Sequence, residues 1–139
     1  MLRDYAAVME QKEEKIMIPR KRVRAKMGVR ERPQIRSLRH LRFVRARECA
    51  IRGKTGKLLV HICLGPMQAC HLRINTDGGL NTKPSDCFTI PLCVSGHTIQ
   101  HNIGENTFDI LYGINSRKIA DALWQADVQS RIEWERKLK

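Results

Sequence analysis

The chain has 139 residues and a formal net charge of +12, from 26 Lys/Arg against 14 Asp/Glu. That length suits one small domain with an extension and leaves little room for two. No run reaches the ~18 apolar residues that cross a bilayer, and five cysteines, an odd number, argue against a disulfide framework.

Charge is unevenly placed. Residues 1–47 hold fifteen Lys/Arg against five Asp/Glu, or +10, whereas residues 48–139 hold eleven against nine, or +2. A polyanion such as DNA is the natural partner of such a segment, because each phosphate it neutralises releases counterions. A solvated tail, or an adaptor for an acidic protein, is the blander alternative. The opening Met1-Leu2-Arg3-Asp4-Tyr5 lacks the apolar core of a secretory signal, so a cytoplasmic location away from membranes is expected.

In chain order, residues 1–33 show no sustained period and read as a basic, partly disordered arm. From Gln34 to Arg47, Ile35, Leu38, Leu41 and Val44 recur at three-residue spacing. Arg36, Arg39, Arg42 and Arg45 surround them, which predicts an amphipathic helix over 34–47 with a cationic outer face. Gly53-Lys54-Thr55-Gly56 is turn chemistry, without the upstream glycine of a phosphate loop. Leu58 to Cys63 and Gln68 to Ile74 read as strands, and residues 75–86 as a polar loop. Cys87 to Leu92 reads as a third strand, with Pro91 marking an edge or bend. Ser95 is the expected N-cap of a helix from Gly96 to about Asn102. Two C-terminal helices follow over 104–139. The first packs through Phe108, Ile110 or Leu111, and Tyr112, and closes at Gly113. The second is capped by Ser116, with Ile119, Ala122, Leu123 and Ala126 inward.

The segment Ile90-Pro91-Leu92-Cys93-Val94-Ser95-Gly96-His97-Thr98-Ile99-Gln100-His101 is the most informative. Histidines at i and i+4 place both imidazoles on one face of a helical turn, a spacing that suits a metal-ligand pair. His71 closes an upstream strand and can serve as a general base, since its ordinary pKa lies near neutrality. Together they predict a metal-assisted phosphodiesterase site. His40 and His61 have no comparable setting and read as ordinary residues. A structural zinc needs four ligands, usually in close pairs. Here Cys49 is followed at the pair position by Arg52 and Cys93 by Gly96. A site rebuilt from Cys49, Cys63, Cys93 and one histidine is one possibility, and buried inert thiols are the other.

From Leu38 to about Trp124 the chain resembles the HNH endonucleases, and is most similar to a branch of small phage and prophage proteins. The resemblance rests on several pieces: His71-Leu72-Arg73, Gly78-Gly79, Lys83-Pro84-Ser85-Asp86, Ile90-Pro91-Leu92-Cys93, His97 and His101, Gly104-Glu105, Phe108 and Gly113-Ile114. It implies an α+β protein built on a ββα-metal finger, with the core at about 57–102 inside a domain of 34–139. It also implies DNA cleavage with Mg2+, Mn2+ or Zn2+, in a bacterial or phage-infected cell. His71 would be the catalytic base, and His97 and His101 the metal ligands. Arg73 and Lys83, with the arginines of 34–47, would contact phosphates. This chain departs from the family pattern in carrying Cys70, a further candidate metal ligand, before the base. Asp86 stands nearest to the usual loop-ordering asparagine, and the paired-cysteine knuckle is incomplete. The competing expectation is a non-catalytic DNA-binding or structural-zinc protein on the same scaffold.

Overall fold

The computed structural model describes residues 33–56, 59–79 and 81–139; the expectations for residues 1–32 lie outside them. The first helix, α1 (Leu38–Arg45), is shorter than the 34–47 that periodicity predicts. The Ile35 amide donates to Ser85 Oγ at 2.8 Å and the Ser37 amide to Asp86 Oδ2 at 2.8 Å. Those long-range bonds hold residues 34–37 outside the helix. Ser37 then caps α1, its hydroxyl accepting from the His40 amide at 3.1 Å. His40, Leu41 and Val44 form the buried face, while Leu38, expected inward, is 72% exposed.

Two short antiparallel pairs follow. β1 (Thr55–Gly56) pairs with β2 (Leu59–Val60), so the strand expected over 58–63 shrinks to two exposed residues. β3 (Met67–His71) pairs with β4 (Thr89–Cys93) in the register Met67↔Cys93 to His71↔Thr89. All five residues of β4 are buried. Pro91 is tolerated there because a two-stranded sheet leaves an outer edge, where its carbonyl accepts from the Ala50 amide at 2.8 Å.

The connection from β3 to β4 is more ordered than its polar sequence suggests. Asp77 accepts from the Ser85 amide at 2.7 Å and from the Ser85 hydroxyl. Pro84, Ser85, Asp86 and Cys87 are all buried beneath the approach to α1.

The chain passes from β4 directly into α2 (Val94–Ile103). Cys93 is the cap, its sulfur accepting from the Gly96 amide at 3.4 Å, where Ser95 was the expected cap. Four bonds tie α2 and its end to β3 and the residues after it: His97 with Gln68, Gln100 with Cys70, and Glu105, just beyond the helix, with the Arg73 and Ile74 amides. The core joins these elements through Cys49, Ile51, Cys70, Leu72, Ile90, Leu92, Cys93, Phe108 and Ala120. Burying a ring the size of Phe108 contributes about 1.5–3 kcal/mol.

α3 (Glu105–Tyr112) ends at Gly113, whose φ of 61° is the left-handed conformation that glycine adopts without strain. Phe108 is buried as expected, whereas Ile110 is 83% exposed. α4 (Ser116–Ala126) is capped by the Asn115 side chain, because the Ser116 hydroxyl is spent on Asp109 at 2.5 Å. Ala120, not Ala122 or Ala126, is the buried alanine. The single last helix that was expected breaks at Asp127, giving α5 (Val128–Lys137). Asp127 Oδ1 accepts from the Ser130 amide at 3.2 Å, and Oδ2 accepts from His40 Nδ1 at 2.9 Å. His40 is thus a buried residue that ties α1 to the α4–α5 corner, with Trp124 edge-on to its ring.

The described residues therefore form a mixed α+β unit of five helices and two small antiparallel sheets. Among them no helix is long and apolar enough to cross a membrane.

Candidate metal centres

Two side-chain clusters flank the β3–β4–α2 unit, and they differ in chemistry. In the first, one ligand atom from each of Cys49, His61, Cys63 and Cys93 lies within 4.8 Å of the others. Cys49 Sγ and Cys93 Sγ are 3.8 Å apart, and His61 Nε2 is 3.2 Å from Cys93 Sγ. Sulfurs bound tetrahedrally at ~2.3 Å to zinc stand about 3.8 Å apart, so the donor set and its spacing fit that ion.

His61 corrects the expectation that it is an ordinary residue. The Cys93-x2-Gly96 spacing lacks a second ligand on the helix, and His61 fills that space from the segment after β2. Its Nε2 stands 3.6 Å from where a Cβ at Gly96 would lie. The His61 amide donates to the Lys54 carbonyl at 2.8 Å, which folds this segment back over the cluster.

The thiols are electrostatically opposed. Burial raises the Cys93 thiol, but hydrogen bonds from Ser95, the Gly96 amide and His61 outweigh it and bring it to about 6. Desolvation and the neighbouring Cys49 and Cys93 push Cys63 up to about 12. A divalent cation would relieve that conflict by stabilising every thiolate at once.

The second cluster is built from imidazoles and a carboxylate. His97 Nε2 and His101 Nε2 are 2.9 Å apart on the outer side of α2. His97 Nδ1 donates to Gln68 Oε1 at 2.5 Å, which fixes the ring and turns Nε2 toward His101. Two cis ligands bound at ~2.1 Å and a right angle stand about 2.9 Å apart, so the pair suits one shared cation. Burial, then the charges of His101 and His71, lower the His97 pKa and favour the neutral, ligating form.

His71 is mostly buried and bonds through Nε2 to Asp86 Oδ1 at 2.9 Å. An ionised carboxylate only accepts, so the proton sits on Nε2 and Nδ1 is left as the basic atom. Burial would raise the Asp86 carboxyl, yet bonds from His71 and the Ser37 amide, with the His71 and Lys83 charges, hold it below the usual carboxylate range. Asp86 thereby joins His71 to the start of α1, beyond the loop-ordering role expected of it.

Cys70, expected as a ligand beside the base, points elsewhere. It is fully buried and donates to Gln100 Oε1 at 3.2 Å, and burial pushes its thiol up to about 12. In this arrangement it is a protonated core residue rather than a partner of His97 and His101.

The expected phosphate-binding cations are only partly free. Arg36 donates to the Pro84 and Lys83 carbonyls at 2.6 and 2.8 Å and so braces the loop that carries Asp86. Arg39 pairs with Glu133 at 3.1 Å. Arg42, Arg45, Arg73 and Lys83 are exposed. Sequence reasoning passed over both His61 and Gln68. For His61 a signal existed: His61-Ile62-Cys63 sets two ligand types on one side of an extended chain. Gln68 carries no such mark.

No family model, no curated protein and no solved structure matches this chain.

Proposed function

We propose that this chain is a divalent-cation-dependent DNA endonuclease of the ββα-metal, or HNH, type, with its own structural zinc. The observation that carries the reading is the convergence of His97 Nε2 and His101 Nε2, with His97 locked by Gln68, on a hairpin–helix unit whose strand ends in the His71–Asp86 dyad. His97 and His101 would hold the cation. When bound, it would polarise a non-bridging phosphate oxygen and stabilise charge on the leaving 3′-oxygen.

His71 Nδ1 takes a proton from the attacking water, and the Asp86 carboxylate stabilises the imidazolium that forms. Arg73 and Lys83 hold neighbouring phosphates, and the arginines of α1 add affinity that is largely independent of sequence. Cys49, His61, Cys63 and Cys93 would hold the zinc, and with it the segment after β2 would be tied to the start of α2. The HNH resemblance and the basic surplus point the same way, toward DNA in a bacterial or phage-infected cell.

Nicking of supercoiled plasmid with added Mg2+, Mn2+ or Zn2+ tests the reading. His71→Ala should keep plasmid binding and lose cutting. A second reading, a non-catalytic DNA-binding protein, draws on the buried Cys70 thiol, which leaves only two imidazoles for the cation. It predicts no cutting with any of the three metals.

A further inference from the structure

A cleft of about 490 Å³ opens between the start of α1, the Lys83–Asp86 loop and α5. Asp86, the carboxylate partner of His71, lines it, whereas His71, His97 and His101 do not, so the cleft adjoins the proposed catalytic dyad from the side opposite His71 Nδ1. Arg36, Arg39, Lys83 and Lys137 line it against two carboxylates, Asp86 and Glu133. Asp86 is held by His71 at 2.9 Å and faces Arg36 at 3.6 Å and the mostly exposed Lys83 at 4.0 Å. Glu133 is held by Arg39, and Lys137 has no carboxylate partner among the described residues.

Within this cationic rim lie two apolar surfaces, the half-buried indole of Trp134 and Leu38, the latter 72% exposed. Phosphate recognition needs no apolar platform. A nucleobase does, because every base has a π-face that stacks on an indole. Inside a duplex that face is already stacked on its neighbours, so only an unpaired nucleotide can use Trp134.

We infer that this cleft binds one unpaired nucleotide of a DNA strand, its base on Trp134 and Leu38 and its phosphate on Lys83 and Lys137. The site thereby directs the proposed nuclease to single-stranded tails, flaps or frayed ends. The assignment rests on the endonuclease reading for its bearing on cleavage, but binding alone tests it.

The experiment measures binding of the full chain, without added divalent cation, to a labelled DNA hairpin that is blunt, carries a short thymidine tail, or carries a tail of abasic residues of equal length. The thymidine tail should tighten binding roughly tenfold over the blunt hairpin, and the abasic tail should lose most of that gain although its phosphates remain. Trp134→Ala should remove the preference and leave blunt-hairpin affinity within about twofold, while Trp134→Phe retains much of it. Equal binding of abasic and thymidine tails, or an undiminished preference in folded Trp134→Ala, overturns the inference. Should Trp134→Ala fail to fold, the abasic comparison in the unaltered protein decides. Plasmid nicking measured in parallel separates the two ideas. Cutting without tail preference sinks only the cleft, and tail preference without cutting under any metal sinks only the nuclease.

Discussion

The two clusters beside β4 and α2 use histidine in opposite ways. At Cys49, His61, Cys63 and Cys93 the donors are mainly sulfur, and four ligand atoms lie within 4.8 Å of one another, enough to fill a tetrahedral shell. At His97 and His101 only two ring nitrogens converge, on the outer side of a helix, and the part-buried His71 is paired with the Asp86 carboxylate. A closed set of three thiolates and an imidazole suits a structural ion, whereas an open pair with free coordination positions suits chemistry. Proteins separate these tasks because a ligand held rigidly in a closed shell cannot yield a position to a phosphate oxygen.

Predictions that sharpen this contrast run from large effects to small. Stripping zinc from the cysteine cluster, or replacing Cys93 by Ala, should unfold the unit. Structural zinc contributes about 10–16 kcal/mol in small zinc peptides, as much as a whole domain's ~5–15 kcal/mol of stability. Circular dichroism before and after a strong chelator reads this out. A chelated protein that keeps its fold would make the cluster a set of inert thiols.

His71→Ala should lower the nicking rate about 10²–10⁴-fold while the protein still folds, with Tm lowered modestly by the lost bond to Asp86. Loss of folding in that variant would instead make the His71–Asp86 pair structural. Gln68→Ala should weaken Mn2+ affinity at the open pair by about 10–100-fold and leave the zinc count untouched. Calorimetric titration of both proteins decides it, and equal affinities would remove Gln68 from the site.

The smallest effect is a pH dependence. The Asp86 carboxyl is depressed in the folded chain, so its contribution is complete above the unfolded carboxyl value of ~3.9 and is lost as pH falls through the lower folded value. Asp86→Asn should therefore cost about 1–2 kcal/mol at pH 7, and the gap in Tm from the unaltered protein should close under strong acid. A gap that stays constant with pH would mean that the Asp86 charge does not matter to folding.

Part of this arrangement was legible in the residues. The apolar run Ile90 to Cys93 and the i, i+4 histidines announced a strand feeding a helix, because both periods are short-range. The α+β class and the burial of Phe108 followed from the same kind of pattern. Long-range partners decided the rest. Residues 34–37 lost helical form to bonds with Ser85 and Asp86, about fifty positions away. Asp127 broke the last helix because it had both Ser130 and a buried His40 to satisfy. His61 looked like a strand residue since Leu58 to Cys63 is a short, nearly continuous apolar run. Only the fold-back between β1 and Gly65, whose φ of +76° packs it against Val94, brings it to the sulfurs.

The division of labour between the two clusters is tested most directly by plasmid nicking with zinc-loaded protein as Mn2+ is added. Nicking should rise and saturate with Mn2+ while one zinc per chain remains bound. The His97→Ala, His101→Ala double variant should keep that zinc and its fold yet cut at background level. A double variant that cuts as fast as the unaltered chain, or an unaltered chain that never cuts with Mg2+, Mn2+ or Zn2+, would contradict the account.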